Sequence, residues 1–332
     1  MASLTVGIVG ATGAVGQEML RVLEKRRFPV REVVPLASSR SAGKTVSFAG
    51  KDVVVRELRR DAFRGLDLAL FSAGASVSRE MAPVAVAAGA LVVDNSSAFR
   101  LEPGVPLVVP EVNLDAARRH EGIIANPNCS TIILVMALAP IQRLSRLERV
   151  VVSTYQAASG AGGRGMEALE QELRGEETTS SPFPHRLAGN LIPRIDTLQE
   201  NGYTREEMKM VLETRKILGA DGLSVSATCV RVPVARAHSE AVQVTTEKPL
   251  SLEEIRGSLG CAPGVRLLDR PADDVYPMPL EVSGEDDVFV GRLRVHPDDP
   301  RTYDLWVVGD QILKGAALNA VQIAEKVLAG EP

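Results

Sequence analysis

Cysteine is scarce: the 332 residues hold three, Cys129, Cys229 and Cys261. They are too few and too widely spaced for a disulfide framework or a zinc cluster, and they fit a reducing, cytoplasmic setting. Positive charge is not in excess. A formal net charge of −4 argues against a nucleic-acid binder relying on bulk electrostatics. No uninterrupted apolar stretch approaches the length of a membrane span. The N-terminus lacks a basic n-region, so no signal peptide is expected. Repeats and low-complexity tracts are missing too. What is left is ordinary globular composition, 45% hydrophobic and 24% charged, in a chain long enough for two domains.

The N-terminal half alternates strand and helix signals. Leu4 to Val9 is a short β-rich run. The loop Gly10-Ala11-Thr12-Gly13-Ala14-Val15-Gly16 follows, then a segment of helical periodicity from Gln17 to Lys25. Strand, glycine loop and helix in that order make a phosphate-binding hypothesis, with backbone N–H groups and a helix N-terminus facing a pyrophosphate. A purely structural glycine turn is the plainer alternative. The next strand, Glu32 to Ala37, ends in Ser38-Ser39-Arg40-Ser41. An NAD site usually places an acid there; Arg40 and the serines suit a 2′-phosphate, hence NADP, unless this is only a solvated loop. Further strands are expected at Leu66–Phe71, which ends in Ser72-Ala73-Gly74, and at Ala90–Val93, Leu107–Val109 and Gly122–Ala125. A helix from Ser76 to Ala88 carries Pro83, which should bend it. Such alternation implies a parallel sheet with helices on both faces and ligands at the carboxyl ends of its strands.

From about Glu148 the texture changes. Strands are expected at Val150–Gln156, Leu223–Val234, Glu240–Thr246, Val288–His296 and Tyr303–Gly309, and helices at Met166–Leu173, Thr204–Leu218, Ser251–Leu259 and Gln311–Leu328. Thr204 and Glu207 have capping-box spacing. Glu176 to Arg194 reads as a long irregular segment. The fold class is therefore α/β: a Rossmann-type dinucleotide-binding domain, residues 1–128 completed by a C-terminal helix over 311–332, and an α+β catalytic and dimerisation domain, 129–310, with a mostly antiparallel sheet.

Asn126-Pro127-Asn128-Cys129-Ser130-Thr131 precedes an apolar run, which puts Cys129 in the first turn of a buried helix. Helix starts favour the thiolate and lower a cysteine pKa from about 8.5 into a range of roughly 3.5–7.5. Cys129 is thus a nucleophile or an inert structural cysteine. Arg100 and Cys129 both fall just past expected strand ends, which would bring them to one crevice. His238, near a strand end, is a base for a cysteine or a surface histidine; His120 and His296 read as surface residues. Glu206 and Lys209, three apart on a helix, make a solvated ion pair or a zwitterion-binding face. Arg231 lies on an apolar strand and needs an anion, from the protein or from a substrate.

Together these stretches closely resemble the aspartate-semialdehyde dehydrogenase family. The match runs from about residue 4 to the C-terminal helix and rests on 10–16, Ser-Ser-Arg-Ser-Ala-Gly-Lys at 38–44, Asn-Ser-Ser-Ala-Phe-Arg at 95–100 and Asn-Pro-Asn-Cys-Ser-Thr at 126–131. Gln156-Ala-Ala-Ser-Gly, Glu206-Glu-Met-Lys209, Arg231 to His238, and Gly309 onward complete it. The resemblance implies Cys129 as thioester nucleophile, His238 as acid/base and Gln156 as a positioning group. It implies Arg100 and Lys209 on phosphate, Arg231 on the substrate carboxylate, Glu206 on its ammonium, and Asn128 at the substrate. Gly10, Thr12, Gly13, Ala14, Val15, Arg40, Ser41, Ser72, Gly74, Ser159, Gly160 and Gln311 would contact NADP. The implied reaction is reduction of L-aspartyl 4-phosphate to the 4-semialdehyde, serving lysine, threonine, methionine and isoleucine biosynthesis, in a homodimer or homotetramer without metal. N-acetyl-glutamyl-phosphate reductase is the nearest alternative; a non-enzymatic NADP-binding scaffold belongs to another class.

Overall fold

The computed structural model describes residues 3–178 and 180–329. The chain forms two compact units, one running up to Asn128 and resuming at Ala316, the other Cys129–Gly315.

The first unit contains β1 (Leu4–Val9), α1 (Ala14–Lys25), β2 (Val30–Ala37), β3 (Thr45–Phe48), β4 (Lys51–Val54), β5 (Arg56–Glu57), β6 (Leu68–Phe71), α2 (Ala75–Ala87), β7 (Leu91–Asp94), α3 (Pro110–Asn113) and β8 (Ile123–Ala125). Its main sheet has the order β5-β2-β1-β6-β7-β8, and every pairing is parallel. A parallel strand is covered on both faces, which is why β1, β6 and β7 read as continuous apolar runs and are buried almost throughout. The expected strand Leu107–Val109 is reduced to one bridge, Leu107 to Ala125, because the chain turns into α3 at Pro110. Pro83 does not interrupt α2. The expected long terminal helix is broken: a π-helical turn, Leu313–Ala317, precedes a C-terminal helix, Leu318–Leu328. Asn319 fastens that helix to the first unit, donating to the Val108 carbonyl at 2.9 Å and to Asn126 Oδ1 at 2.6 Å.

The second unit opens with α4 (Cys129–Leu144), buried along most of its length. It continues through β9 (Leu147–Gln156), α5 (Gly163–Leu173), α6 (Arg205–Leu218), β10 (Ser224–Arg231), β11 (His238–Thr246), α7 (Leu252–Cys261), β12 (Val265–Leu267), α8 (Pro279–Val282), β13 (Val288–His296) and β14 (Asp299–Gly309). The sheet order is β10-β9-β11-β14-β13-β12. The three central pairings are antiparallel and the two outer ones parallel. Register sets one row across this sheet: Arg231 stands opposite Gln156, and His238 opposite Gly309. The next row holds Cys229, Thr154, Glu240 and Val307. Side chains alternate between faces along a strand, so these two rows share the face on which α4 packs.

Candidate active site

In the first unit, β1 runs into a turn that demands glycine. Gly10 has φ +90°, and a side-chain carbon there would meet the Ser72 carbonyl oxygen at 2.6 Å; one on Gly16 would collide with the Gly10 carbonyl oxygen. Gly13 caps α1 without a side-chain bond, and no acid occupies the first turn. A helix start without a side-chain cap or a first-turn acid is one at which backbone N–H groups can donate to an anion. Thr12 Oγ1 and Ser41 Oγ lie 3.5 Å apart, which brings the glycine loop to the end of β2, where Arg40 is exposed. Ser72 and Gly74 follow β6. Among the expected dinucleotide contacts, Gly10, Thr12, Gly13, Ala14, Val15, Arg40, Ser41, Ser72 and Gly74 thus line strand ends of one sheet. These residues fit a dinucleotide phosphate.

Arg100 also belongs to this unit. It is buried, donating Nε to the Asn126 carbonyl and Nη2 to the Asn95 carbonyl, both at 2.9 Å. Asn95 follows β7 and Asn126 follows β8, so two strand ends fix the guanidinium beside the segment that leads through Asn128 to Cys129.

The second unit gathers the remaining candidates. Cys129 is the first residue of α4 and is partly exposed, the placement that favours a thiolate. Gly315 approaches it closely enough that a side-chain carbon there would stand 3.1 Å from Cys129 Cβ. Gln156 ends β9 and donates to the hydroxyl of the neighbouring Ser130 at 2.5 Å and to Glu206 Oε1 at 3.2 Å. Glu206 in turn pairs with Lys209 at 2.8 Å, and Lys209 with Asp196 at 2.9 Å. Burial opposes the Lys209 charge, but Glu206 and Asp196 outweigh it and hold the ammonium above its ordinary pKa. The capping box that starts α6 is present, and Glu207 also accepts the Cys229 N–H at 3.0 Å, tying α6 to β10.

Arg231 ends β10, buried, with Nη1 donating to the Ala157 carbonyl at 2.7 Å. This carbonyl is a neutral acceptor and not the anion expected for a guanidinium on an apolar strand. Burial draws its pKa down, while Glu206 and a charged Cys129 draw it back up. The Phe183 ring lies 5.7 Å from its guanidinium carbon, and a cavity of about 480 Å³ opens beside it, lined also by Ile192, Arg194 and Asp196. His238 is not a surface histidine: it is fully buried, and its Nδ1 accepts the Ala157 N–H at 3.1 Å. Gln311 accepts from the Ala237 N–H at 2.9 Å and donates to the Ser159 hydroxyl. Its amide therefore fixes the Ser159-Gly160 turn.

Sequence reading missed Ser130, Ala157, Asp196 and Gly315. Asp196 sits just past the irregular segment and Ala157 acts through its backbone, so neither carries a local signal. Gly315 lies inside the stretch expected to be helix.

The constellation joins a helix-start cysteine, a buried imidazole, a guanidinium and a carboxylate–ammonium pair in one unit, while another unit offers a dinucleotide cradle. Residue types of this kind occur in covalent thiol catalysis and in dinucleotide binding. Similarity to known proteins identifies the family. The family model for the semialdehyde dehydrogenase NAD-binding domain matches residues 5–120, and that for the semialdehyde dehydrogenase dimerisation domain matches 138–314. The Aquifex aeolicus aspartate-semialdehyde dehydrogenase is 52% identical over 96% of this chain and 96% of its own. The Prochlorococcus marinus enzyme of the same name is 50% identical over 98% and 96%. A crystal structure of aspartate semialdehyde dehydrogenase II from Vibrio cholerae, complexed with ASA, superposes with a TM-score of 0.96 at 44% identity and covers both chains fully. Motifs, fold and full-length similarity converge, and the chain belongs to the aspartate-semialdehyde dehydrogenase family.

Proposed function

We propose that the protein reduces L-aspartyl 4-phosphate to L-aspartate 4-semialdehyde with NADPH, releasing phosphate, through a thioester on Cys129. The observation that carries this reading is a partly exposed cysteine at the start of α4, in the same unit as buried Arg231, His238 and the Glu206–Lys209 pair.

The Cys129 thiolate adds to the acyl carbon; the bond from that carbon to the phosphate oxygen breaks, and phosphate leaves with the electron pair. Arg231 binds the α-carboxylate and Glu206 the ammonium, which orients the acyl group. Lys209 and Arg100 hold the phosphate. Gln156 and Asn128 place the acyl carbon over the sulfur. A reduced nicotinamide, held by the glycine loop, would supply the hydride needed at the thioester carbonyl carbon. Cys129 then leaves as thiolate, the carbon–sulfur bond breaks, and the aldehyde is free. His238 manages the proton demand at the reacting oxygen. Gly10 to Gly16 hold the dinucleotide phosphates, Arg40 and Ser41 a 2′-phosphate, and the turn at Ser159 and Gly160 the nicotinamide side. A homodimer or homotetramer in the cytoplasm fits this biosynthetic role.

The test is phosphate-dependent reduction of NADP with aspartate semialdehyde as reverse substrate, beside N-acetyl-glutamate semialdehyde. The second compound offers Glu206 no ammonium, so it should react poorly. Preference for it, or near wild-type turnover by Cys129→Ala, would overturn the proposal.

A further inference from the structure

Asp196 holds a backbone conformation that few side chains adopt. Its φ is +68°, in the left-handed region where Asp and Asn are the usual non-glycine residues, because a short polar side chain can bond locally. Here it does so: Oδ1 accepts the Thr197 N–H at 2.8 Å. The other oxygen, Oδ2, accepts from Lys209 Nζ at 2.9 Å. The segment that follows returns at once to the helix carrying Lys209. The Arg205 N–H donates to the Thr197 carbonyl and the Gln199 N–H to the Tyr203 carbonyl, both at 2.8 Å. Leu198 forms a bridge to Thr204, the cap of α6. Backbone bonds therefore set the Asp196 carboxylate relative to α6.

Lys209 stands between two carboxylates of different origin: Glu206, one turn back on α6 at 2.8 Å, and Asp196 on the loop. An ammonium has three N–H donors. Two are taken, and the two acceptors fix the direction of the third. Burial opposes the charges on Asp196 and Lys209, yet their pairing keeps both ionised. Asp196 and Arg231 line one cavity of about 480 Å³. Glu206 carries other duties. Its Oε1 accepts from the Gln156 amide at 3.2 Å, and in the reaction proposed above it receives the substrate ammonium. A single carboxylate would have to serve both that ammonium and Lys209.

We infer that Asp196 is a positioning residue for the phosphate step: it anchors Lys209 from the loop, so that the remaining N–H stays on phosphate while Glu206 serves the substrate ammonium. This rests on the functional reading above and adds to it a residue that touches neither substrate nor coenzyme. Unusual backbone held by its surroundings is a recurring mark of such sites, and small errors in placing a binding group are costly.

Two variants of the full chain test it. Asp196→Asn keeps the turn, since Asn tolerates the same φ and its Oδ1 can take the Thr197 N–H, but it turns an amide donor towards Lys209. Asp196→Gly removes the side chain and the left-handed cost together. In the reverse assay with aspartate semialdehyde, NADP and varied inorganic phosphate, both should raise KM for phosphate about tenfold, the size of one lost charge-assisted hydrogen bond. KM for NADP should hold, and kcat should stay within about threefold. A residue that only shaped the turn would leave the Gly variant at the wild-type KM. That result, or a lower KM once a negative charge is gone, would overturn the inference. In a Lys209→Met background, Asp196→Asn should add less than about twofold, because coupled residues are not additive; a full tenfold effect there would also overturn it. Calorimetric titration of inorganic phosphate into wild type and either variant reads the same weakening without turnover, and equal affinities would overturn the inference. A wild-type protein that binds phosphate but does not oxidise aspartate semialdehyde would sink the functional reading instead, with calorimetry still deciding the part played by Asp196.

Discussion

Gly315 lies against Cys129: a side-chain carbon on Gly315 would sit 3.1 Å from the Cys129 Cβ and 3.4 Å from its Cα. Carbon pairs settle at about 3.5–4.0 Å, so Gly315→Ala must push the start of α4. Turnover should fall about tenfold or more, because a small displacement of a reacting atom is costly. Steady-state kinetics beside a melting curve checks this; unchanged kcat would show that α4 yields freely.

The three cysteines should part company on alkylation. Cys229 is buried against the Met210 sulfur, and burial first, then Glu206, pushes its thiol pKa up. Only thiolates react readily. Iodoacetamide near neutral pH should modify Cys129 with loss of activity, modify exposed Cys261 without loss, and spare Cys229. Peptide mass spectrometry over a time course reads all three sites.

Lys209 neutralises Glu206 and Asp196 together. Lys209→Met takes the cation from a buried Glu206, which keeps the Gln156 amide, and should cost about 1–3 kcal/mol of stability, together with a raised KM for phosphate. Asp196→Asn should cost less, since the Asp196 side chain is 30% exposed. Burial works against the Asp196 carboxylate, yet Lys209 prevails and holds its pKa below 3.8. Its contribution is therefore present above that ordinary value and is lost as pH falls through the lower folded one. Acid titrations of the wild type and D196N should therefore stay apart above that range and converge as pH falls through it.

Glu240 is fully buried between Thr154 and Val307, and neither carboxyl oxygen has a partner among the described residues. Burial raises its pKa well above 4.5. The folded state then keeps a proton that the unfolded chain has released, so stability declines as pH rises from about 4.5 towards the folded value. Glu240→Gln should remove that decline. Melting temperatures of variant and wild type should nearly coincide in mild acid and separate by a few degrees at alkaline pH, the variant higher.

Arg40 should set coenzyme choice. Charge-assisted hydrogen bonds contribute about 1.5–3 kcal/mol, so Arg40→Ala should lower kcat/KM for NADP by about 10- to 100-fold and leave that for NAD nearly unchanged. Equal losses on both would remove the 2′-phosphate contact from the scheme.

Local rules carried much of this architecture. Alternating strand and helix signals yield the parallel sheet, and Thr204 with Glu207 forms the expected cap, because each depends on residues a few positions apart. The parallel pairing of β9 with β10 depends on segments far apart in sequence, and nothing in either strand announces it. The seat of His238 was hidden for a similar reason. Ala235-Arg236-Ala237 looks like a surface bridge, but Arg236 is bound to buried Asp310, and that pairing draws the bridge inward. Leu107–Val109 has strand composition, yet Pro110 starts a helix before a ladder can form.

The bonds from Asn319 to Val108 and Asn126 close a loop of 193 residues or more. A ribosome releases the nucleotide-binding unit's last structural member only after every residue of the second unit has been made. The second unit can begin to fold while the first still lacks a helix, so a stop codon shortly before Leu318 should harm coenzyme affinity before it harms the sheet that supports Gln156, Arg231 and His238.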